Sequence, residues 1–342
     1  MSGTVMAAEI AEAGAALSRQ LMANAKATAA LAARLKSLDP SFVVTIARGS
    51  SDHAALFLKY VIETRLGLAC ASIGPSIASL YRAPLRLKGA VAISISQSGT
   101  SPDLVAMQQA AQDGGAMTVA LVNDAQSQLA LEADALLPLH AGVERAVAAT
   151  KSMIASLFAG VSLVARWSED AELSVALGRL PSLLGAERAP APEALVETLA
   201  ASRLMFVIGR GPTFAIAAEA ALKLKETSAI HAEAFSSAEV LHGPAGIVGP
   251  NFPILGFAPA DAARAGFFET VQRLESFGAA PLIADIAQHP RWATLVAPDG
   301  GHPLTTPIAA LHAFYRLAEA TARRRGRDPD QPPHLMKVTR TV

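Results

Sequence analysis

The chain has 342 residues, 51% of them hydrophobic, and its 29 Lys and Arg balance 29 Asp and Glu for a formal net charge of zero. That length allows two domains with sizeable cores, and the neutral balance argues against a surface built for nucleic acid or an anionic membrane. Cys70 is the lone cysteine, which excludes an intrachain disulfide and any cysteine-based zinc cluster.

In chain order, residues 5–37 read as one long amphipathic helix, with Leu17, Leu21, Leu31 and Leu35 at helical spacing and Asp39-Pro40 as its stop. Glu9 and Glu12 stand where a signal peptide would be basic and then apolar, so no leader is expected. Strands follow at "FVVTIA" (42–47), "CASI" (70–73), "AVAISIS" (90–96), "MTVALV" (117–122) and "ALLPL" (135–139). Helical patterns separate them at 52–67 and 101–114, and a long helix is expected from about Val147 to Trp167. Its apolar part, Met153 to Ala165, is too short to cross a bilayer and is bracketed by Lys151 and Arg166. A soluble, cytoplasmic protein is expected. Strands that are apolar throughout and alternate with helices imply an α/β fold with a parallel sheet covered on both faces.

Residues 181–195, with Pro181, Gly185, Pro190 and Pro192, read as a linker, after which the pattern restarts at "LMFVIGRGPTFAIAAEAALKLKE". "IARGSS" at 46–51 and "IGRGPT" at 208–213 stand 162 residues apart, and the same step carries Ser96 to Ala258, again at the end of an apolar run. The periodicity suggests two copies of one α/β unit, the second keeping the strand-turn-helix outline without the hydroxyls.

Two turns in the first copy, Gly49-Ser50-Ser51 and Ser96-Gln97-Ser98-Gly99-Thr100-Ser101, lead from a strand into a helix. Such turns present unpaired backbone N–H groups and the positive end of a helix dipole, a setting that favours phosphate. Gly49 and Gly99 would let the backbone approach a ligand closely. The bland alternative makes Ser51 and Ser101 plain helix caps. No GxxxxGK[ST] loop is present, and "GRG" at 209–211 lacks the rest of a dinucleotide fingerprint, so a nucleotide is not expected.

Further on, Glu219, Lys223 and Glu226 share a helix face, which on the pattern alone is a salt-bridge ladder on a solvated surface. His231, Glu233 and His242 fit no usual metal spacing, and no metal or cofactor is expected. His242 sits in a tight "LHGPAG" turn, where a histidine has little packing role.

"ARGSSDHA", "SQSG", "AATK" (148–151), "ALKLKE", "IHAEA", "HGP" and "DQPPHLMKVT" occur in this order. Together they resemble the sugar isomerase (SIS) domain family, in particular the isomerase half of glucosamine-6-phosphate synthase and its stand-alone relatives. The resemblance implies two tandem SIS domains, each a parallel sheet flanked by helices in a flavodoxin-like three-layer sandwich. Residues 1–37 would be an N-terminal helix, 38–185 and 195–326 the two domains, and 327–342 an active-site tail. It further implies that Ser50, Ser51, Ser96, Gln97, Ser98 and Ser101 hold a sugar phosphate, and that Gly49 and the backbone at Val147 and Ala148 contact the sugar. By the same likeness Glu226 is the base between C1 and C2, with Lys223 beside it. His242 opens the ring, reaching in from a second subunit of a homodimer, and Lys337 can form an imine with the open ketose.

The synthase draws ammonia from glutamine through a separate domain with an N-terminal cysteine, whereas this chain begins Met1-Ser2 and holds its one thiol in a strand. Deamination of glucosamine 6-phosphate to fructose 6-phosphate and ammonia is therefore the expected reaction, with no glutaminase activity. The forms "SQSGTSPD" and "KVTRTV" also resemble the stand-alone deaminases. Thr100 replaces an acidic residue and Pro333 an arginine of the synthase, which leaves galactosamine 6-phosphate or a glycated amino-acid phosphate open as substrate. A non-catalytic phosphosugar sensor is the rival class. Only about 37 residues precede the first strand, too few for the DNA-reading domain such sensors carry, and "ARRRGR" (322–327) reads as a helix C-terminus.

Overall fold

The computed structural model describes residues 3–337. It begins with helices α1 (Val5–Ala11) and α2 (Ala13–Leu38). Then come β1 (Phe42–Ile46), α3 (Ser50–Leu66), β2 (Cys70–Ser72), α4 (Ser76–Ser79), β3 (Ala90–Ser96) and α5 (Pro102–Asp113). The first sheet is completed by β4 (Met117–Val122), α6 (Gln128–Leu131) and β5 (Ala135–Pro138). Helices α7 (Lys151–Trp167), α8 (Ala171–Gly185) and α9 (Glu193–Ala201) follow. Alternation resumes with β6 (Leu204–Gly209), α10 (Pro212–Ser228), β7 (His231–Ser236), β8 (Phe252–Phe257) and α11 (Arg264–Ser276). The last elements are β9 (Ala279–Asp285), β10 (Ala293–Val296) and α12 (Thr306–Arg324).

Two five-stranded sheets result, ordered β2-β1-β3-β4-β5 and β10-β9-β8-β6-β7, and every pairing is parallel. The second order, read from β7, is the first one again, so each sheet is a doubly wound α/β layer. All seven residues of β3 are buried, as a central parallel strand covered on both faces requires. Val44, Ile46, Leu104, Met107 and Val122 share the first core, and Phe206, Ile254, Phe267, Val271 and Ile283 the second.

The chain divides into two compact units. The first comprises Ala13–Glu144, Lys151–Pro181 and the tail from Met336; the second comprises the residues through Glu12, Arg145–Thr150 and Ser182–Leu335. The repeat holds in detail. A step of 162 carries α3, Ser50–Leu66, onto α10, Pro212–Ser228. It also carries Gly49 (φ 55°, ψ −132°) onto Gly211 (φ 58°, ψ −133°), the same backbone turn, which a side chain would strain.

Three local expectations are corrected. The single helix expected over 5–37 breaks at Glu12, because its two parts bury different faces: α1 packs on α12 of its own unit, and α2 packs on α7 of the other. Leu17, Leu31 and Leu35 are buried as expected, but Leu21 lies outside the contact face and is exposed. The linker expected from residue 181 is still helix to Gly185, with Pro181 inside α8, and the long helix expected from Val147 starts at Lys151.

Candidate active site

In an open α/β sheet, ligands gather beyond the C-terminal strand ends where the strand order reverses. In the first unit that point lies at neighbouring β1 and β3, the two strands that feed the serine-rich turns. Gly49 caps α3, so Ser50 and Ser51 occupy its first turn, among N–H groups that have no helical acceptor. After β3, the Ser96 hydroxyl accepts the Gly99 N–H at 3.0 Å and closes the loop. The Thr100 hydroxyl reaches Ser98 Oγ at 3.2 Å. Gly99 has φ +65°, and a Cβ there would collide with Ser127 and Val122. The capping alternative fails on both counts: Ser51 lies inside the helix, and Ser101, although it is the N-cap of α5, makes no side-chain cap bond. Ser50, Ser51, Gln97, Ser98 and Ser101 are all partly open to solvent, while Ser96 is buried under its loop.

Sequence reasoning missed the pair that joins the two turns. Arg48 Nε and Nη2 donate to Asp103 Oδ2 at 2.9 and 2.8 Å, the carboxylate fully buried and the guanidinium half exposed. Next to it, burial raises the pKa of Asp52, against the opposing pull of His53 and Arg48. A second omission is Glu144, whose buried carboxylate accepts the N–H (3.1 Å) and hydroxyl (2.5 Å) of Ser152. It also accepts the Lys337 ammonium at 3.0 Å. Lys337 is therefore anchored within the first unit, while Val338 and Thr339 of the tail motif lie outside the described residues.

In the second unit, α10 brings Glu219, Lys223 and Glu226 together. Lys223 bonds Glu226 and stands 3.5 Å from Glu219 Oε1, which also accepts the Tyr315 hydroxyl at 3.0 Å. The solvated ladder expected from spacing is corrected here: side-chain exposure is 0% for Glu219, 1% for Lys223 and 20% for Glu226. Two buried charges thus orient one carboxylate that still reaches solvent. His242 ends a 3-10 turn and is exposed, followed by Gly243 at φ 148°. His231 and Glu233 are exposed on edge strand β7.

The segment 145–150 is tied down by acids that the pattern did not mark. The Glu9 carboxylate accepts the Arg145 and Ala146 N–H groups at 2.5 and 3.3 Å. The Val147 N–H is given to the Asp330 carbonyl at 3.0 Å, so that donor is not free for a ligand. The Asp330 carboxylate in turn accepts the Val5 and Met6 N–H groups at the start of α1, at 2.8 and 2.7 Å. Ala148 is buried in the same segment.

The SIS domain model matches residues 39–166 and 198–285, one stretch on each sheet. The chain belongs to the SIS domain family. This SIS chain is 34% identical over 323 residues to glutamine–fructose-6-phosphate aminotransferase (isomerizing) of Zymomonas mobilis, matching 87% of this chain and 53% of that protein. It thus spans about half the length of the curated relatives it matches. Among solved structures, a Silicibacter pomeroyi protein described as a candidate phosphosugar isomerase has 46% identity and TM-score 0.90, with 96% of this chain and 100% of that one covered. A glucosamine-6-phosphate deaminase of Thermotoga maritima shares the fold at 20% identity and TM-score 0.77, covering 99% and 100%. These likenesses make the SIS chain a relative of phosphosugar isomerases and of the synthase's isomerase domain. Among its described residues no helix is long and apolar enough to cross a membrane.

Proposed function

We propose that the protein is an amino-sugar-phosphate deaminase-isomerase that converts glucosamine 6-phosphate and water to fructose 6-phosphate and ammonia. The observation that carries this reading is the set Glu219–Lys223–Glu226, in which a buried ammonium holds a carboxylate that remains open to solvent. Proton transfer between adjacent carbons needs one such carboxylate, kept in place and able to take and return a proton. In this reading Ser50, Ser51, Ser96, Gln97, Ser98 and Ser101 hold the phosphate, and that remote binding aligns the reacting carbons. Glu226 moves the proton, with Lys223 fixing its position. Lys337 supplies an amine for the ketose carbonyl once its proton is shed, and Glu144 holds that amine in place. His242 is exposed in the single chain, as suits an imidazole that serves the ring oxygen in a second copy of a homodimer.

The proposed direction is supported by the state of the one thiol in this chain. Burial pushes the Cys70 thiol to about 12, so the chain's own cysteine is no nucleophile for glutamine. Ammonia would be a product here, released when water takes its place at carbon.

The test is an ammonia-release assay on glucosamine 6-phosphate, galactosamine 6-phosphate and a glycated amino-acid phosphate, with Glu226→Gln alongside. Turnover on glucosamine 6-phosphate is expected, falling about a hundredfold or more in the variant while substrate still binds. Binding without ammonia or ketose in the wild type would make the protein a sensor, and an undiminished Gln variant would dismiss Glu226 as the base.

A further inference from the structure

A cavity of about 380 Å³ opens within the second unit, lined by none of the groups assigned to catalysis, between α1, the segment 184–191 and α12. Its apolar wall includes Ala7, Ile10, Leu184, Pro190 and Ala191, and its polar wall His312, Arg188 and Arg316. His312 is 3% exposed. Its Nε2 meets the Ile10 carbonyl at 3.0 Å, and its buried Nδ1 has no hydrogen-bond partner.

The two arginines are equally unspent as charges. Arg316 Nη2 donates to the backbone carbonyls of Arg188 and Ala189 at 2.8 and 3.1 Å, and Arg188 Nη2 to the Leu183 carbonyl at 3.1 Å. Arg188 Nε is buried and unbonded. Neither guanidinium has a carboxylate partner among the described residues, whereas Arg323 on the same wall is matched by Glu319 at 2.8 Å. Glu187, the other acid on the lining, is exposed at the rim.

Two uncompensated guanidiniums beside an imidazole with an idle ring nitrogen form a site for an oxyanion. Two guanidiniums, joined by an imidazole that can take up a proton at Nδ1, match the oxygens of a phosphate better than the two of a carboxylate. The volume exceeds what a bare anion fills, and the remaining wall is apolar.

We propose that this cavity is a second ligand site, for a small phosphate ester with an apolar body, held by Arg188, Arg316 and His312. Burial first, and then Arg316 and Arg188, lower the His312 pKa against the opposing bond to the Ile10 carbonyl. A bound dianion would reverse that balance and let Nδ1 donate.

Histidine-labelled full-length protein, titrated with phenyl phosphate and followed by ¹⁵N NMR, tests this locally; the His312 signals are assigned with His312→Gln. Saturable movement of His312 toward the protonated form is expected, with binding weakened about tenfold by Arg316→Gln, the effect of losing one charge-assisted bond. Arg188→Gln gives the same readout should Arg316→Gln fail to fold. Inorganic phosphate should bind more weakly than the ester. Unmoved His312 signals at concentrations that saturate the serine turns would overturn the proposal, and equal affinity for free phosphate would overturn the ester. Catalytic turnover plays no part in the readout, so failure here is distinct from failure of the proposed reaction.

Discussion

Lys223 joins two chemistries at one atom. Its ammonium compensates the buried Glu219 carboxylate and positions Glu226, so a substitution there changes stability as well as rate. Removing one partner of a buried ion pair leaves a desolvated charge behind, a loss of about 3–5 kcal/mol. Lys223→Met should therefore lower unfolding free energy by that order and also reduce turnover. Lys223→Met combined with Glu219→Gln removes both charges and should recover much of the stability, because the Tyr315 hydroxyl still has an oxygen to bond. Turnover should not recover, since Glu226 remains without its ammonium. Denaturant melts and rates on these two variants and on Glu219→Gln alone check this double cycle. Recovery of turnover in the double variant would mean that Lys223 serves only the fold.

The turn after β3 is packed so closely that it tolerates no side chain at its glycine. Gly99→Ala puts a methyl group onto Ser127 and Val122 at a positive φ, so the loop must shift. A loss of about 1–3 kcal/mol is expected, with a larger KM for the sugar phosphate than wild type and a much smaller change in kcat. Unchanged KM would separate this loop from substrate binding. At this scale the sequence was a good guide. The 162-residue step forecast α10 from α3 residue for residue, because the repeat preserves strand, glycine turn and helix lengths together. Helical spacing could place Glu219, Lys223 and Glu226 on one face but could not say whether that face was wet. The covering residue, Tyr315, lies on α12, far along the chain. The same holds for Glu9 with Arg145 and for Arg48 with Asp103: each carboxylate finds its partner through tertiary structure, and nothing near it in sequence marks it.

At the scale of the molecule, two histidines in different units make the fold sensitive to mild acid. Desolvation first, and then Arg19, lowers the pKa of His140, whose Nε2 faces Asn24 Oδ1 at 3.1 Å. Desolvation, followed by Arg316 and Arg188, lowers that of His312 against the opposing bond to the Ile10 carbonyl. Both titrate below the ordinary 6.5, so as pH falls through that value the unfolded chain takes up protons before the folded one does. Their contribution is complete above 6.5 and is lost as pH drops toward the folded values. Asp52 acts in the opposite sense in a more acidic window: its carboxyl titrates above 3.8, so its contribution is complete below 3.8 and lost as pH rises through the folded value. Unfolding free energy should accordingly decline from neutral pH into the range just below 6.5, before Asp52 begins to offset it. His312→Gln, which cannot take up a proton, should flatten that decline, and His140→Gln should flatten it independently because the two belong to separate units. Denaturant titrations at pH steps between neutrality and 5 measure the slope, and a slope unaltered by both substitutions would place the acid sensitivity in other groups.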